Sequence, residues 1–149
     1  EFIILGFVLI QVINLFANNQ EIVVVLTGKR RQYIIDELKS NNIPYKYFEM
    51  VQPNEINELY NILNLYIVSS RIEGGPQAIL ECAITKTPII STDVGLASEV
   101  LHETSIYINE ISNAEPNVQH AYKNVEKLEI SNLIDSYKSM FDEIYKSRK

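Results

Sequence analysis

Ser70-Arg71-Ile72-Glu73-Gly74-Gly75-Pro76-Gln77-Ala78-Ile79-Leu80-Glu81 decides how the rest of this chain is read. Ahead of it, residues 65–68 are an apolar run of strand length, and behind it Ile79, Leu80, Ala83 and Ile84 fall on one helical face. Pro76 fits the first helical position, where no intrahelical N–H is needed. Gly74 and Gly75 have no Cβ, so the backbone can take positive φ and a ligand can approach closely. The first N–H groups of the following helix then point at that approach, which predicts an anion site. Glu81 shares a stripe with Gln77 and Thr85 at i, i+4 spacing, one turn beyond the glycines, and Glu73 lies in the loop itself. Carboxylates accept hydrogen bonds strongly from hydroxyls, and sugars offer hydroxyls in pairs. A phosphate on the helix end with sugar hydroxyls on two carboxylates describes a nucleotide-sugar. The plainer alternative is that both glutamates are solvated, one on a loop and one on a helix.

Working outward, strands alternate with helices. Residues 2–5 read as a buried strand, joined through Gly6-Phe7 to a helix carrying Val8, Leu9, Val12, Ile13 and Phe16. Residues 22–26 are a β-branched strand closed by Thr27-Gly28, and the next helix turns Ile34, Ile35 and Leu38 inward until Asn41-Asn42 and Pro44 break it. A third strand spans 45–48. The helix after Pro53, with Asn54 as its expected N-cap, spaces Ile56, Leu59, Tyr60 and Leu63 helically. Strands at 65–69 and 88–91 follow, then a short helix at 96–101 and a sixth strand at 105–108. Residues 109–119 carry no readable element. Ser131 is expected to cap a closing helix, 130–145, with Leu133, Ile134, Tyr137, Met140, Phe141 and Ile144 on one side.

Strand-helix alternation with short connections predicts an α/β fold: a Rossmann-like, doubly wound parallel sheet of about six strands with helices on both faces. Ligands of such sheets bind beyond the strand carboxyl ends, where strand order reverses. The loops following strands at Thr27, Met50, Ser70 and Thr92 all leave those ends and are expected to share one site.

Composition narrows the function. The chain has 149 residues, a net charge of −6 and one cysteine. That length predicts a single domain, 1–149. Acidity without a basic stripe excludes a nucleic-acid surface, since Lys29, Arg30 and Arg31 are the one tight basic cluster. Cys82 has no partner for a disulfide, which favours a cytoplasmic setting, and a buried small side chain is its expected role. The apolar opening over 2–16 falls short of the ~20 residues of a membrane span. Its strand-like start without an initiator methionine predicts a piece of a longer protein.

Glu73 to Glu81 is an E-x7-E pattern, and EGGPQAILECAITKTPIISTDVG, residues 73–95, resembles the signature of the retaining family 4 glycosyltransferases of the GT-B fold. The resemblance runs from about 21 to about 107 and, more loosely, through the final helix. It implies the carboxyl-terminal, donor-binding domain of an enzyme of polysaccharide biosynthesis. Glu73 is then the catalytic-site carboxylate beside the donor sugar and Glu81 the holder of the ribose. Gly74, Gly75 and Gln77 border the donor, the main chain of Met50 and Val51 holds the nucleobase, and Gly28, Lys29 and Arg30 lie toward the diphosphate. Lys29 and Arg30 read equally well as solvated first-turn residues, and Arg71 as an ion-pair partner of Glu73.

The resemblance further implies a nucleoside-diphosphate sugar as donor substrate, with no cofactor and no metal. It places a saccharide or lipid-linked acceptor on a missing N-terminal domain, and admits peripheral membrane association of the full-length protein. Members usually carry an arginine and a lysine after the first strand, where this chain has only Gly6-Phe7. The residues leave open a nucleotide-sugar epimerase or phosphorylase domain of similar fold, and a non-enzymatic doubly wound binding module. His102 and His120 read as surface histidines.

Overall fold

The structure, a computed structural model, describes residues 2–5, 13 and 21–147. Among the described residues five parallel strands, β1 (Phe2–Leu5), β2 (Val23–Thr27), β3 (Tyr45–Phe48), β4 (Leu65–Val68) and β5 (Ile89–Ser91), form one sheet in the order β3-β2-β1-β4-β5. Ile3 registers with Val24 on one side and Leu65 on the other. Strand order reverses between β1 and β4, so the crevice beyond their carboxyl ends is where such a sheet receives a ligand.

Around the sheet stand α1 (Gln32–Ser40), α2 (Pro53–Ile62), α3 (Gln77–Thr85), α4 (Ala97–Val100), α5 (Val118–Glu126) and α6 (Ile130–Ser147). Strand side chains alternate between two cores, as a period of two requires. Val24, Leu26, Ile67 and Ile90 join Ile34, Ile35 and Leu38 of α1 on one face. Val25, Val68 and Ile89 join Ile79, Cys82 and Ala83 of α3, with Val100, Ala121 and Val125, on the other. Ile79 and Leu38 are fully buried, so each helix is held by the apolar stripe visible in its sequence.

Several expectations are corrected. Among the described residues the sheet has five strands rather than about six: Ser105 belongs to a single 3-10 turn, Glu103–Ser105, and the expected strand is reduced to one bridge, Ser91 to Ile106. The buried Ser105 hydroxyl donates to Glu115 O (3.0 Å) and accepts from Asn117 N (2.8 Å), tying this turn to residues 115–117, while Tyr107 N–H still donates to Ser91 O at 2.9 Å. Gln52, not Asn54, is the N-cap of α2. Pro53 occupies the first helical position, and the Gln52 backbone N–H donates to Glu55 Oε2 at 2.7 Å. Pro76 is likewise the N-cap of α3 rather than its first residue. Helix α5 has no counterpart among the expected elements; Asn117 caps it by accepting from His120 N at 3.1 Å.

Ser131 does not cap α6, which has already begun at Ile130, and α6 has no buried residue. Its apolar side, including Tyr137, Phe141 and Tyr145, faces outward. His102 and His120 are not isolated surface groups. Their rings pack edge to face with centres 5.0 Å apart, and Asn124 Nδ2, which donates to Val100 O at 3.2 Å, lies 2.9 Å from His120 Nε2.

Between residues 5 and 21 only Ile13 is described, helical and buried. The Gly6-Phe7 connection and the expected stripe of Val8, Leu9, Val12 and Phe16 lie outside the described residues. Among the described residues, no helix is long and apolar enough to cross a membrane.

Candidate functional site

The site grows from the end of β4. Ser69 and Ser70, directly after the strand, are buried, and Ser70 Oγ donates to Glu73 Oε1. Glu73 therefore takes its hydrogen bond from Ser70, and among the described residues no ion pair joins it to Arg71. Thr92, beyond β5, donates its hydroxyl to Ser70 O at 2.6 Å and its N–H to Val68 O at 3.0 Å. These two bonds stitch the loop after β5 to the loop after β4.

The glycines complete that junction. Gly75 has φ +154° and Gly95 φ +53°, in the region that favours glycine, and a Cβ on Gly95 would lie 2.7 Å from Gly75 Cα. Pro76 brings no side-chain acceptor to the start of α3, so no side chain caps its first N–H groups. That leaves a helix N-terminus with partial positive charge at the strand end, flanked by Gly74, Gly75 and the exposed Gln77.

Glu81, one turn into α3, is exposed, and its Oε2 accepts from the buried Tyr60 hydroxyl at 2.7 Å. It lines a hollow of about 130 Å³ between α2 and α3 with Pro53, Ile56, Asn57, Tyr60 and Thr85. Tyr60 read as an inward-facing core residue, and nothing local in the sequence links it to a residue 21 positions away. Burial, followed by the bond to Glu81, pushes its hydroxyl pKa well above the usual tyrosine value, so it stays a donor. Burial also raises Tyr66, with Cys82, Glu81 and Glu73 adding to the rise and the Arg31 guanidinium opposing it. Burial, then Glu81, raises the Cys82 thiol, which rules out a ready thiolate nucleophile.

The other expected residues lie further out. Gly28 (φ +87°) follows β2; its N–H donates to Phe48 O at 3.1 Å and its carbonyl accepts from Tyr47 Oη at 3.1 Å. Lys29 and Arg30 are exposed on the same loop, with β1 between them and β4. Arg31 beside them is half-buried, and its Nε donates to Thr27 O at 2.9 Å. Met50 and Val51 line a separate hollow of about 330 Å³ with Phe48, Glu55, Leu59 and Ile62. Those helix residues lie on the side of α2 opposite Ile56 and Tyr60, so the Met50 and Val51 side chains are not brought to Glu81. Among the described residues, no group of three or more His, Cys, Asp or Glu side chains could hold a metal ion.

Comparison with known proteins agrees with this architecture. The model of the family described as glycosyl transferases group 1 matches residues 7–146. Among solved structures, the fold is similar to sucrose-phosphate synthase from Thermosynechococcus elongatus, at TM-score 0.74 and 14% identity, covering 98% of this chain and 45% of that one. It is also similar to the catalytic domain of cholesterol-alpha-glucosyltransferase from Helicobacter pylori, at TM-score 0.58 and 18% identity, covering 97% and 98% of the two chains. A third similar structure is the pneumococcal O-GlcNAc transferase GtfA in complex with UDP and GlcNAc, at TM-score 0.60 and 14% identity, covering 84% and 30%. The chain thus spans less than half of the first and third of these structures. No curated protein matches by sequence.

Proposed function

The chain belongs to the glycosyl transferases group 1 family, and from that premise we propose that it is the donor-binding half of a retaining, GT-B glycosyltransferase. Such an enzyme moves a sugar from a nucleoside diphosphate to a saccharide or lipid-linked acceptor held by a preceding domain. The observation that carries the reading is the junction at β4. Two carboxylates, Glu73 and Glu81, flank two glycines and an uncapped helix start where the sheet delivers ligands.

Each residue then has a task. The α3 N-terminus, approached over Gly74 and Gly75, takes the diphosphate, with Gln77 beside it and Gly28, Lys29 and Arg30 toward its far side. Glu81 accepts the ribose hydroxyls, and Glu73, held by Ser70, accepts hydroxyls of the donor sugar. The main chain at Met50 and Val51 holds the base. When the sugar departs, negative charge grows on the diphosphate, and the helix end and nearby cations stabilise it without a metal. The rest of the acceleration is positioning of donor against acceptor.

Calorimetry tests this assignment with UDP against a UDP-sugar, or the matching guanine pair. Glu81→Gln weakens both ligands by about 1.5 to 3 kcal/mol, the loss of a hydrogen bond to a charged acceptor. Glu73→Gln spares the free nucleotide and weakens only the intact donor. Equal losses for both ligands in both variants would refute the division of labour.

A further inference from the structure

We infer that Tyr60 is a positioning residue for Glu81, holding its carboxylate ready for the ribose and making recognition depend on the ribose hydroxyls. The inference rests on the donor-binding reading above and assigns a role to a residue outside the glutamate motif.

Tyr60 is itself firmly fixed. It lies in the last turns of α2, its side chain buried, its ring packed against Tyr66 at a centroid distance of 5.8 Å. Its carbonyl accepts the buried Thr87 hydroxyl at 2.9 Å, which ties α2 to the segment leading into β5. Its hydroxyl stands 2.7 Å from Glu81 Oε2. Glu81 has no such anchorage of its own, being exposed on α3. A free glutamate side chain samples several rotamers, and ordering it on binding costs affinity. The Tyr60 bond removes that cost beforehand.

The bond also sets polarity. The tyrosine hydroxyl donates and Glu81 Oε2 accepts, and burial keeps this hydroxyl protonated and so a donor. One position on Oε2 is taken, so Oε1 and the remaining lone pair of Oε2 face any ligand as acceptors only. A ligand gains from that spot by bringing hydroxyl donors; one lacking them leaves the exposed carboxylate to water. A vicinal diol such as that of ribose fits, and a dideoxyribose does not.

The test uses the chain, Tyr60→Phe, Glu81→Gln and the double variant, titrated calorimetrically with UDP, GDP and ADP. The tightest binder is then compared with its 2′,3′-dideoxy analogue. Tyr60→Phe keeps the buried ring and removes only the hydroxyl. It is expected to weaken the ribonucleotide about three- to thirtyfold, to leave the dideoxy analogue unchanged, and to add nothing in the Glu81→Gln background. Two outcomes overturn the inference while the donor-binding reading survives. In one, Tyr60→Phe binds the ribonucleotide like the wild type although Glu81→Gln does not; in the other, it weakens both ligands equally, the mark of a merely structural residue. If the wild type binds none of the three nucleotides, the donor-binding reading fails and takes this inference with it.

Discussion

Gly95 sits against Gly75 so closely that a Cβ on Gly95 would come within 2.8 Å of Gly75 N and 3.0 Å of Pro76 Cδ. The two glycines stand 20 positions apart in sequence, and their contact aligns the loop after β5 with the loop that carries Glu73. Gly95→Ala must move backbone rather than a flexible side chain, and it also places a Cβ at φ +53°. It should destabilise the chain by about 2 kcal/mol or more and weaken nucleotide binding, because Gly75 and the start of α3 shift together. Urea unfolding and calorimetry on the same preparation check both effects. An alanine variant with wild-type stability would mean the loops do not pack this way.

Stability should fall on the alkaline side. Burial raises the Tyr60, Tyr66 and Cys82 side chains well above their ordinary values of 10.0, 10.0 and 9.0, and pushes Tyr107 up to about 12. Each group holds its proton more tightly when folded. Its contribution is therefore complete below the unfolded-state pKa and is lost as pH rises toward the folded one, at about 1.4 kcal/mol per pH unit for each group. Chemical denaturation between pH 7 and 11 should show a flat region up to about pH 8.5 and a steepening loss beyond it. Tyr107→Phe should make the loss shallower above pH 10. A profile that stays flat to pH 11 would contradict the burial of these groups.

Helix α6 makes the opposite forecast. It has no buried residue, with Phe141 64% and Tyr145 65% exposed. Phe141→Ser should change the stability of this chain by no more than about 0.5 kcal/mol. Ile79→Ala, in the fully buried centre of α3, should cost about 2 to 5 kcal/mol. Thermal unfolding of the two variants side by side decides it, and similar losses would show that α6 packs on the domain.

What the sequence made legible follows from the range of each interaction. Strands β2, β4 and β5 and helix α1 announce themselves by apolar runs or stripes, and these same residues form the two cores. Helix α5 did not, because it contributes only Ala121 and Val125 to the core; its one local signal was Asn117 as N-cap. Residues 105–108 have strand composition without forming a sixth strand. The buried Ser105 hydroxyl, satisfied by residues 10 and 12 positions away, overrides that propensity. At the site, both glutamates and the glycines were visible as a local motif. Tyr60 was not, since its relevance comes from packing between separate elements.

The central claim is that the β4 junction binds a nucleoside diphosphate, and amide resonances of the isotopically labelled chain test it most directly. A helix end supplies about half a charge, so affinity should be modest, on the order of 0.1 mM or weaker, with no sugar transfer by this chain alone. Titration with UDP, GDP and ADP to millimolar concentration should move the resonances of Gly74, Gly75, Gln77 and Glu81 with at least one nucleotide, and leave those of α6 in place. If none of the three moves the β4 junction, the account is contradicted.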